Sequence, residues 1–348
     1  METSNYKAAV AILNWNGKTF LEKYLPDILQ YSVAEIPIFV IDNGSDDGSV
    51  EFVKSNFNAV KIIELDTNSG YAGGYNQGLK QINAEYFVLL NSDIEVTPDW
   101  LLPIIEFMDN SPTIAACAPK LKSVHSKEKF EYAGAAGGYI DLFGYPFCRG
   151  RIISEVETDT GQYNDMVEIF WATGACMFVR RSVFWQAGGF DASFFAHMEE
   201  IDLCWRMKNL GYQIAYYPDV TVYHVGGGTL PESPRKLFLN YRNNLALLYK
   251  NLPTNKLFTT IFLRLMLDGL SALVYLFSFS LIKFSTVFKA HIAFYRMLPS
   301  LRQKRKEWCK SHSLTEHHTI YRRSIVFDFY VSGKRKFSDL SGFDLSKY

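Results

Sequence analysis

Apolar residues come in short unbroken runs over the first part of the chain, and each run stops on a polar loop. Residues 8–13 end at Asn14-Trp15-Asn16-Gly17, residues 36–41 at Asp42-Asn43-Gly44-Ser45-Asp46-Asp47-Gly48, residues 60–65 near Asp66-Thr67-Asn68-Ser69-Gly70, and residues 85–90 at Asn91-Ser92-Asp93. Runs of this length without polar alternation suit strands buried on both faces. Helical spacing fills the gaps at residues 19–31, 49–56 and 74–83, so strands alternate with helices and a mainly parallel sheet of crossover units is expected. The polar loops then collect on one sheet edge, where ligands of open α/β sheets bind.

Further along, residues 98–110 read as a helix closed by Asp109-Asn110-Ser111-Pro112. Residues 115–161 look irregular and rich in Gly and Tyr, as a loop-rich acceptor-side insertion would be. Residues 169–179 return to strand, residues 199–210 to helix, and residues 213–225 to two short strands, the second ending at His224 before Gly226-Gly227-Gly228. After about Pro234 long apolar segments mix with Lys and Arg. The expected organisation is therefore an α/β domain over residues 1–232, with a nucleotide half to about 112 and an acceptor half over 113–232, followed by a mostly helical region over 233–348.

Composition narrows the partners. Lys plus Arg and Asp plus Glu are both 36 in 348 residues, so no global charge points to nucleic acid. Five scattered cysteines without a CxxC pair argue against a disulfide framework or a structural zinc site and favour a reducing compartment. The short polar N-terminus runs straight into a strand, unlike a signal peptide. The longest charge-free apolar run, residues 269–282, has 14 residues, short of the roughly 20 that span a bilayer. Residues 283–310 carry eight Lys or Arg against Glu307 alone. Apolar, aromatic helices with a basic flank suit an anionic membrane surface; a subdomain packed on the catalytic domain or on a homodimer partner is the other reading.

Several polar residues can carry chemistry, each with a plainer alternative. Asp42 could accept hydrogen bonds from a base or ribose, or form an Asx turn. Asp46 and Asp47 suit a helix N-cap. The Gly-rich segment from Asn68 to Asn76 opens a helix whose N-terminus favours negative charge, without matching GxGxxG. Asp93 is a hard oxygen ligand for Mg²⁺ or Mn²⁺, or closes its strand with an Asx turn. His224 ends a strand and can ligate Mn²⁺ as neutral imidazole. Glu199-Glu200 begin a helix, where acids also serve the macrodipole, and Asp202 with Arg206 fits an i,i+4 ion pair.

Asn14-Trp15-Asn16, Asp42-Asn43-Gly44-Ser45-Asp46-Asp47, the segment from Asn68 to Gly78, Asn91-Ser92-Asp93 and Glu199-Glu200-Ile201-Asp202-Leu203-Cys204-Trp205-Arg206 stand in the order and spacing of family 2 glycosyltransferases. Over residues 7–230 the chain resembles the rhamnosyltransferase-like branch of that family. The resemblance implies a GT-A fold and an inverting glycosyltransferase that uses a nucleotide diphosphate sugar and a glycan or lipid-linked acceptor. It implies work at the cytoplasmic face of the inner membrane, on cell-surface polysaccharide.

The same resemblance puts Asn14, Asn16, Asp42, Gly44, Asn68, Gly73, Asn76, Asn91, Ser92, Asp93 and Gly174 around the donor. It makes Asp93 and His224 the metal ligands, Glu200 the general base and Glu199 its neighbour at the acceptor. Asn91 departs from the family's usual Asp-x-Asp and lowers the charge of the metal site. The competing readings are a sugar-nucleotide nucleotidyltransferase, for which residues 14–18 lack the Lys/Arg-containing pyrophosphate loop, and a non-catalytic nucleotide-sugar binder at the membrane.

Overall fold

The computed structural model describes residues 5–226 and 233–341. The unbroken apolar runs become strands with helices between them: β1 (Tyr6–Asn14), α1 (Lys18–Tyr31), β2 (Ile38–Asp42), α2 (Ser49–Asn56), β3 (Lys61–Glu64), α3 (Gly70–Leu79) and β4 (Ala84–Asn91). Alternate residues of β1 enter opposite cores. Ala9 and Ala11 pack into one cluster, and Ala8, Val10 and Ile12 into the other, which is why the run has no polar phase.

After β4 come β5 (Ile94–Glu95), α4 (Leu102–Asp109), β6 (Ile114–Ser123), β7 (Gly138–Asp141), β8 (Pro146–Cys148), β9 (Arg151–Ile152), β10 (Glu155–Val156), β11 (Val167–Ile169) and β12 (Cys176–Arg180). Then follow α5 (Arg181–Gln186), α6 (Glu199–Asn209) and β13 (Gln213–His224). The main sheet has the order β3-β2-β1-β4-β12-β6-β13-β11, with β5 beside β13. Strands β1 to β4 pair in parallel, whereas β12 runs antiparallel to both β4 and β6. The chain leaves β1 toward β2 and β3 and returns through β4 on the other side, so β1 and β4 flank a switch point whose carboxyl edge opens a crevice. Asn14, Asp42 and Asn91 end the three strands there.

Several expectations change. Residues 115–161 are not irregular: β6 is a central strand and β7 to β10 form a second sheet. The sequence of β6, Ile-Ala-Ala-Cys-Ala-Pro-Lys-Leu-Lys-Ser, hides it because Ala, Pro and Lys are poor strand signals. Residues 169–179 divide between β11 and β12, which lie apart in the sheet. Residues 213–225 are one strand, with a register shift between Tyr217 and Thr221 around Pro218. Helix α3 starts at Gly70 and α4 at Leu102, four residues from the expected starts in each case.

The distal chain forms α7 (Pro234–Asn251), α8 (Thr254–Phe277), α9 (Leu281–Trp308), β14 (Ile320–Tyr321) and α10 (Ile325–Tyr330). β14 joins β7 in the second sheet. The expected boundary between Gly228 and Lys236 overlaps residues 227–232, which lie outside the described residues, as do Gly227 and Gly228 of the glycine run. Among the described residues, α8 is the one helix long and apolar enough to cross a membrane by length and composition. It exceeds the 14-residue run because Arg264 and Asp268, which interrupt the sequence, sit in one continuous helix.

Candidate functional site

The loops beyond β1, β2 and β3 are laced together by short polar side chains. Asn14 is fully buried and its Nδ2 donates to Asp42 Oδ1 (3.1 Å), Ser45 Oγ (3.2 Å) and Ser49 Oγ (2.9 Å). Asp42 closes an Asx turn through Ser45 N (3.0 Å) and Ser45 Oγ (2.6 Å). Asn16, with φ at 51°, pairs reciprocally with Asp46: its Nδ2 donates to Asp46 Oδ1 (2.7 Å) and Asp46 N donates to its Oδ1 (2.9 Å). Asp47 accepts the first helical N–H of α1, from Lys18, and of α2, from Ser49. One carboxylate therefore serves two helix N-termini.

Asn43 extends the lacing to the third loop, donating to Asn68 Oδ1 and Gly70 O, both at 3.1 Å. Gly44 has φ at 75°, and a Cβ there would come within 2.9 Å of Thr67 Cα, so no larger residue fits. Asp42, Gly44, Ser45 and Asp66 face a polar, open cavity of about 250 Å³. Asp42 and Gly44 thus line this cavity, while Asn14 and Asn16 lie outside it and hold Ser45, one of its lining residues.

On α3, Gly73 and Gly74 are buried, and a Cβ on Gly74 would come within 2.7 Å of Leu13 Cδ1. Asn76 grips the backbone of Phe190 at both ends, donating to its O (2.7 Å) and accepting from its N (3.0 Å). Tyr71 OH donates to Gly174 O (2.7 Å), and Asn91 N donates to Ala175 O (2.9 Å). The 173–175 turn is thereby fixed between α3 and the end of β4.

At the end of β4, Ser92 and Asp93 are buried. Asp93 Oδ1 lies 3.2 Å from Nε2 of His224, an ion pair with the protonated ring, and no other donor among the described residues reaches it. Asn91 Nδ2 lies 3.5 Å from the same nitrogen. The ring's Nδ1 faces Glu131 Oε1 at 3.2 Å, and Glu131 Oε2 accepts from Ala133 N (2.6 Å). Burial would lower the His224 pKa, but Glu131 and Asp93 raise it to about 10. A cation taken by the imidazole would replace that proton.

Among the described residues no group of three or more His, Cys, Asp or Glu side chains could hold a metal alone. A buried carboxylate oxygen and an imidazole nitrogen 3.2 Å apart nevertheless fit two positions of an oxygen-rich coordination shell once the ring has lost its proton, the rest being open to phosphate oxygens. Glu131 stands where an outer carboxylate would fix the imidazole if it took a cation. It lies in the segment without a readable motif, so nothing in the sequence singled it out.

Glu199 and Glu200 open α6, behind a loop in which Phe195, His197 and Met198 all have φ between 66° and 73°. Three such non-glycine residues in four need outside support. Asn243 of α7, fully buried, supplies it, donating to the carbonyls of Phe194 (2.9 Å), Ala196 (2.9 Å) and His197 (2.8 Å). An Asn-Asn pair in the interior of α7, where Asn is a poor helix former, is the sequence signal for such a demand.

Glu199 is buried and Glu200 partly exposed, and each has an Oε2 without a hydrogen-bond partner. Burial lifts the Glu200 carboxyl to about 7 against backbone N–H donors that lower it. Burial and then the charge of Glu200 raise Glu199 further. Burial pushes the Cys148 thiol up to about 11 against Arg151, and the charges of Glu131 and Glu200 add to the rise. Asp202 is held below its ordinary range: burial would raise it, but Arg206 and Lys250 prevail. Lys250 also bonds Asp191, and Asp202 and Arg206 are the structural pair the spacing predicts, at 2.7 Å.

The described geometry has recognisable relatives. Residues 9–188 match the family described as Glycosyl transferase family 2. The N-acetylglucosaminyl-diphospho-decaprenol L-rhamnosyltransferase of Mycobacterium tuberculosis is 23% identical over 230 residues, covering 62% of this chain and 75% of that one. A low-salt glycan biosynthesis hexosyltransferase of Haloferax volcanii is 25% identical over 241 residues, covering 68% and 72%. Among solved structures, the mannosyltransferase of Pyrobaculum calidifontis in complex with GDP-Man and Mn²⁺ has a TM-score of 0.52 at 13% identity, over 84% of this chain and 88% of that one. GalNAc-T7 with UDP, GalNAc and Mn²⁺ has a TM-score of 0.57 at 15% identity, over 73% of this chain and 50% of that one. These likenesses establish the GT-A-like fold.

Proposed function

Because the chain belongs to glycosyl transferase family 2, we propose that it is an inverting enzyme moving a sugar from a nucleotide diphosphate onto a lipid-linked, cell-surface glycan at the cytoplasmic face of the inner membrane. The observation that carries this reading is Glu200, a partly exposed residue at the head of α6 whose buried Oε2 has no hydrogen-bond partner and whose pKa is lifted to about 7. A base poised near the working pH gives general-base catalysis its best combination of ionised fraction and strength.

Glu200 takes the proton of the acceptor hydroxyl as that oxygen bonds to the anomeric carbon. The bond from this carbon to the phosphate oxygen breaks on the opposite face, and the nucleoside diphosphate departs. Asp42, Gly44 and Asp66 receive the nucleoside in the polar cavity. Asp93 and His224 would hold Mg²⁺ or Mn²⁺, and Glu131 fixes the imidazole. Such a cation supplies Lewis-acid stabilisation of the leaving diphosphate. Burial and the neighbouring Glu200 charge hold the Glu199 carboxyl well above its ordinary range, and its place beside Glu200 suits a contact with the acceptor. The lipid-linked acceptor is supported by the mycobacterial relative, whose name specifies a decaprenol-linked substrate.

Thermal unfolding with a panel of nucleotide sugars, with and without Mn²⁺, tests the reading. A cognate donor at a hundred times its Kd stabilises by about 2.7 kcal/mol, and Mn²⁺ should enlarge the shift. Absence of protection by every donor would overturn the proposal.

A further inference from the structure

Helix α8 is inside out. Its buried positions are Thr260, Arg264, Asp268 and Ala272, whereas Phe258, Phe262, Met266, Leu270, Val274 and Phe277 form an exposed stripe along the opposite side. The amphipathic helix of a soluble protein has the reverse pattern. The polar side is fully engaged. Arg264 Nε donates to Asp268 Oδ1 (2.8 Å), its Nη1 donates to Phe143 O (3.1 Å) and Asn244 Oδ1, and its guanidinium lies over the Tyr145 ring. Asp268 Oδ2 also faces His291 of α9 at 3.2 Å.

The apolar stripe continues around the α8–α9 turn, where Phe279 is 91% exposed and Leu281 and Ile282 more than half exposed. Along α9 the surface changes character: exposed Lys283, Lys289 and Arg296 alternate with exposed Phe288, Ile292 and Tyr295.

We propose that the α8–α9 hairpin is a monotopic membrane element, whose turn and α8 stripe enter the acyl region of one leaflet while the α9 cations contact anionic phospholipid headgroups. The charges decide the occupant: a stripe without charged residues suits hydrocarbon, and interleaved basic and aromatic residues suit a headgroup layer. They also decide the depth. To span the bilayer α8 would have to pull Arg264 and Asp268 from their buried partners, and breaking buried pairs is strongly destabilising, whereas shallow entry leaves every one of those bonds in place. This extends the lipid-linked acceptor reading above but rests on the surface of the hairpin alone.

Flotation of the full chain with vesicles of phosphatidylcholine and phosphatidylglycerol tests it, with phosphatidylcholine alone as the second arm. The chain should float with the mixed vesicles and less with the neutral ones. The double variant Phe277→Glu, Phe279→Glu should lower the bound fraction at least about tenfold with an unchanged circular dichroism spectrum and unchanged thermal protection by donor. A wild-type chain that stays with the dense fraction, or a variant that floats equally well, would overturn the proposal. So would a dimer by light scattering that the double variant dissociates without any vesicle binding. Loss of donor protection alone would bear on the proposed function and leave the hairpin standing.

Discussion

Glu131 Oε1 lies 3.2 Å from Nδ1 of His224, on the far edge of the ring from Asp93. The imidazole thus stands between two carboxylates at the same distance. If Glu131 fixes a ligand, Glu131→Ala should weaken Mn²⁺ binding about 10- to 100-fold. Calorimetric titration of Mn²⁺ in the presence of donor measures this, and an unchanged affinity would remove Glu131 from the site.

Transfer should depend on pH through Glu200. Its carboxyl titrates at about 7 and must be ionised to accept a proton, so the single-turnover rate should climb with pH below about 7 and level off above it. The titratable groups that sense Glu200 are Glu199 on its own helix, Tyr71 on α3, Cys148 on β8 and Cys204 on α6. Asp202 of the same helix is already paired with Arg206 and Lys250. Glu200→Gln should abolish the climb and lower transfer by about a hundred- to ten-thousand-fold, with donor protection retained. A wild-type rate flat across neutral pH would refute the base assignment.

Asn243 acts on chemistry through the loop before Glu199. Asn243→Leu strips one donor from three buried carbonyls, at about 1–3 kcal/mol of stability. If that donor positions Glu200, kcat should fall much more than the donor KM rises, and the midpoint of the pH profile should move. A loss of stability with an unmoved midpoint would leave Asn243 a purely structural residue.

Lys250→Met should be costly without touching the reaction. It leaves Asp191 and Asp202 buried with one cation fewer, a loss of about 3–5 kcal/mol, read from the midpoint of urea unfolding. Both carboxyls are held below their ordinary range despite burial, through Lys250 with Lys304 at Asp191 and through Arg206 with Lys250 at Asp202. Their stabilisation is therefore present above a pH of about 4 and lost as pH falls below it. The variant should unfold with less acid sensitivity than the parent.

The nucleotide side of the fold was legible because β1 to β4 are buried on both faces and therefore carry unbroken apolar runs. Their polar ends, from Asn14 to Asp93, marked the sheet edge for the same reason. The stretch over residues 115–161 was not. Strand β6 is rich in Ala, Pro and Lys, and Lys120 and Lys122 pair with Asp159, far along the chain. Glu131 sits in that stretch, and its meaning depends on His224, which pairing with β6 and β5 brings across. Asn76, placed near the donor by the motif, also binds the Phe190 backbone at both ends, a contact the sequence does not announce. The aromatic wealth of α8 was plain in the sequence, but which side faced outward was set by Arg264 and Asp268, whose partners lie on other elements.

The pairing of β14 with β7 has a consequence for how the chain is made. Ile325 N donates to Asp141 Oδ2 at 3.0 Å across 184 residues, and Tyr321 stands in register with Asp141 itself. During synthesis the Ile140–Asp141 edge of the second sheet therefore stays unpaired until residues 320–325 have left the ribosome. An open strand edge is a template for wrong partners, and contacts so distant in sequence form slowly. The second sheet should be the last part of this enzyme to mature and the part most dependent on chaperones while it waits.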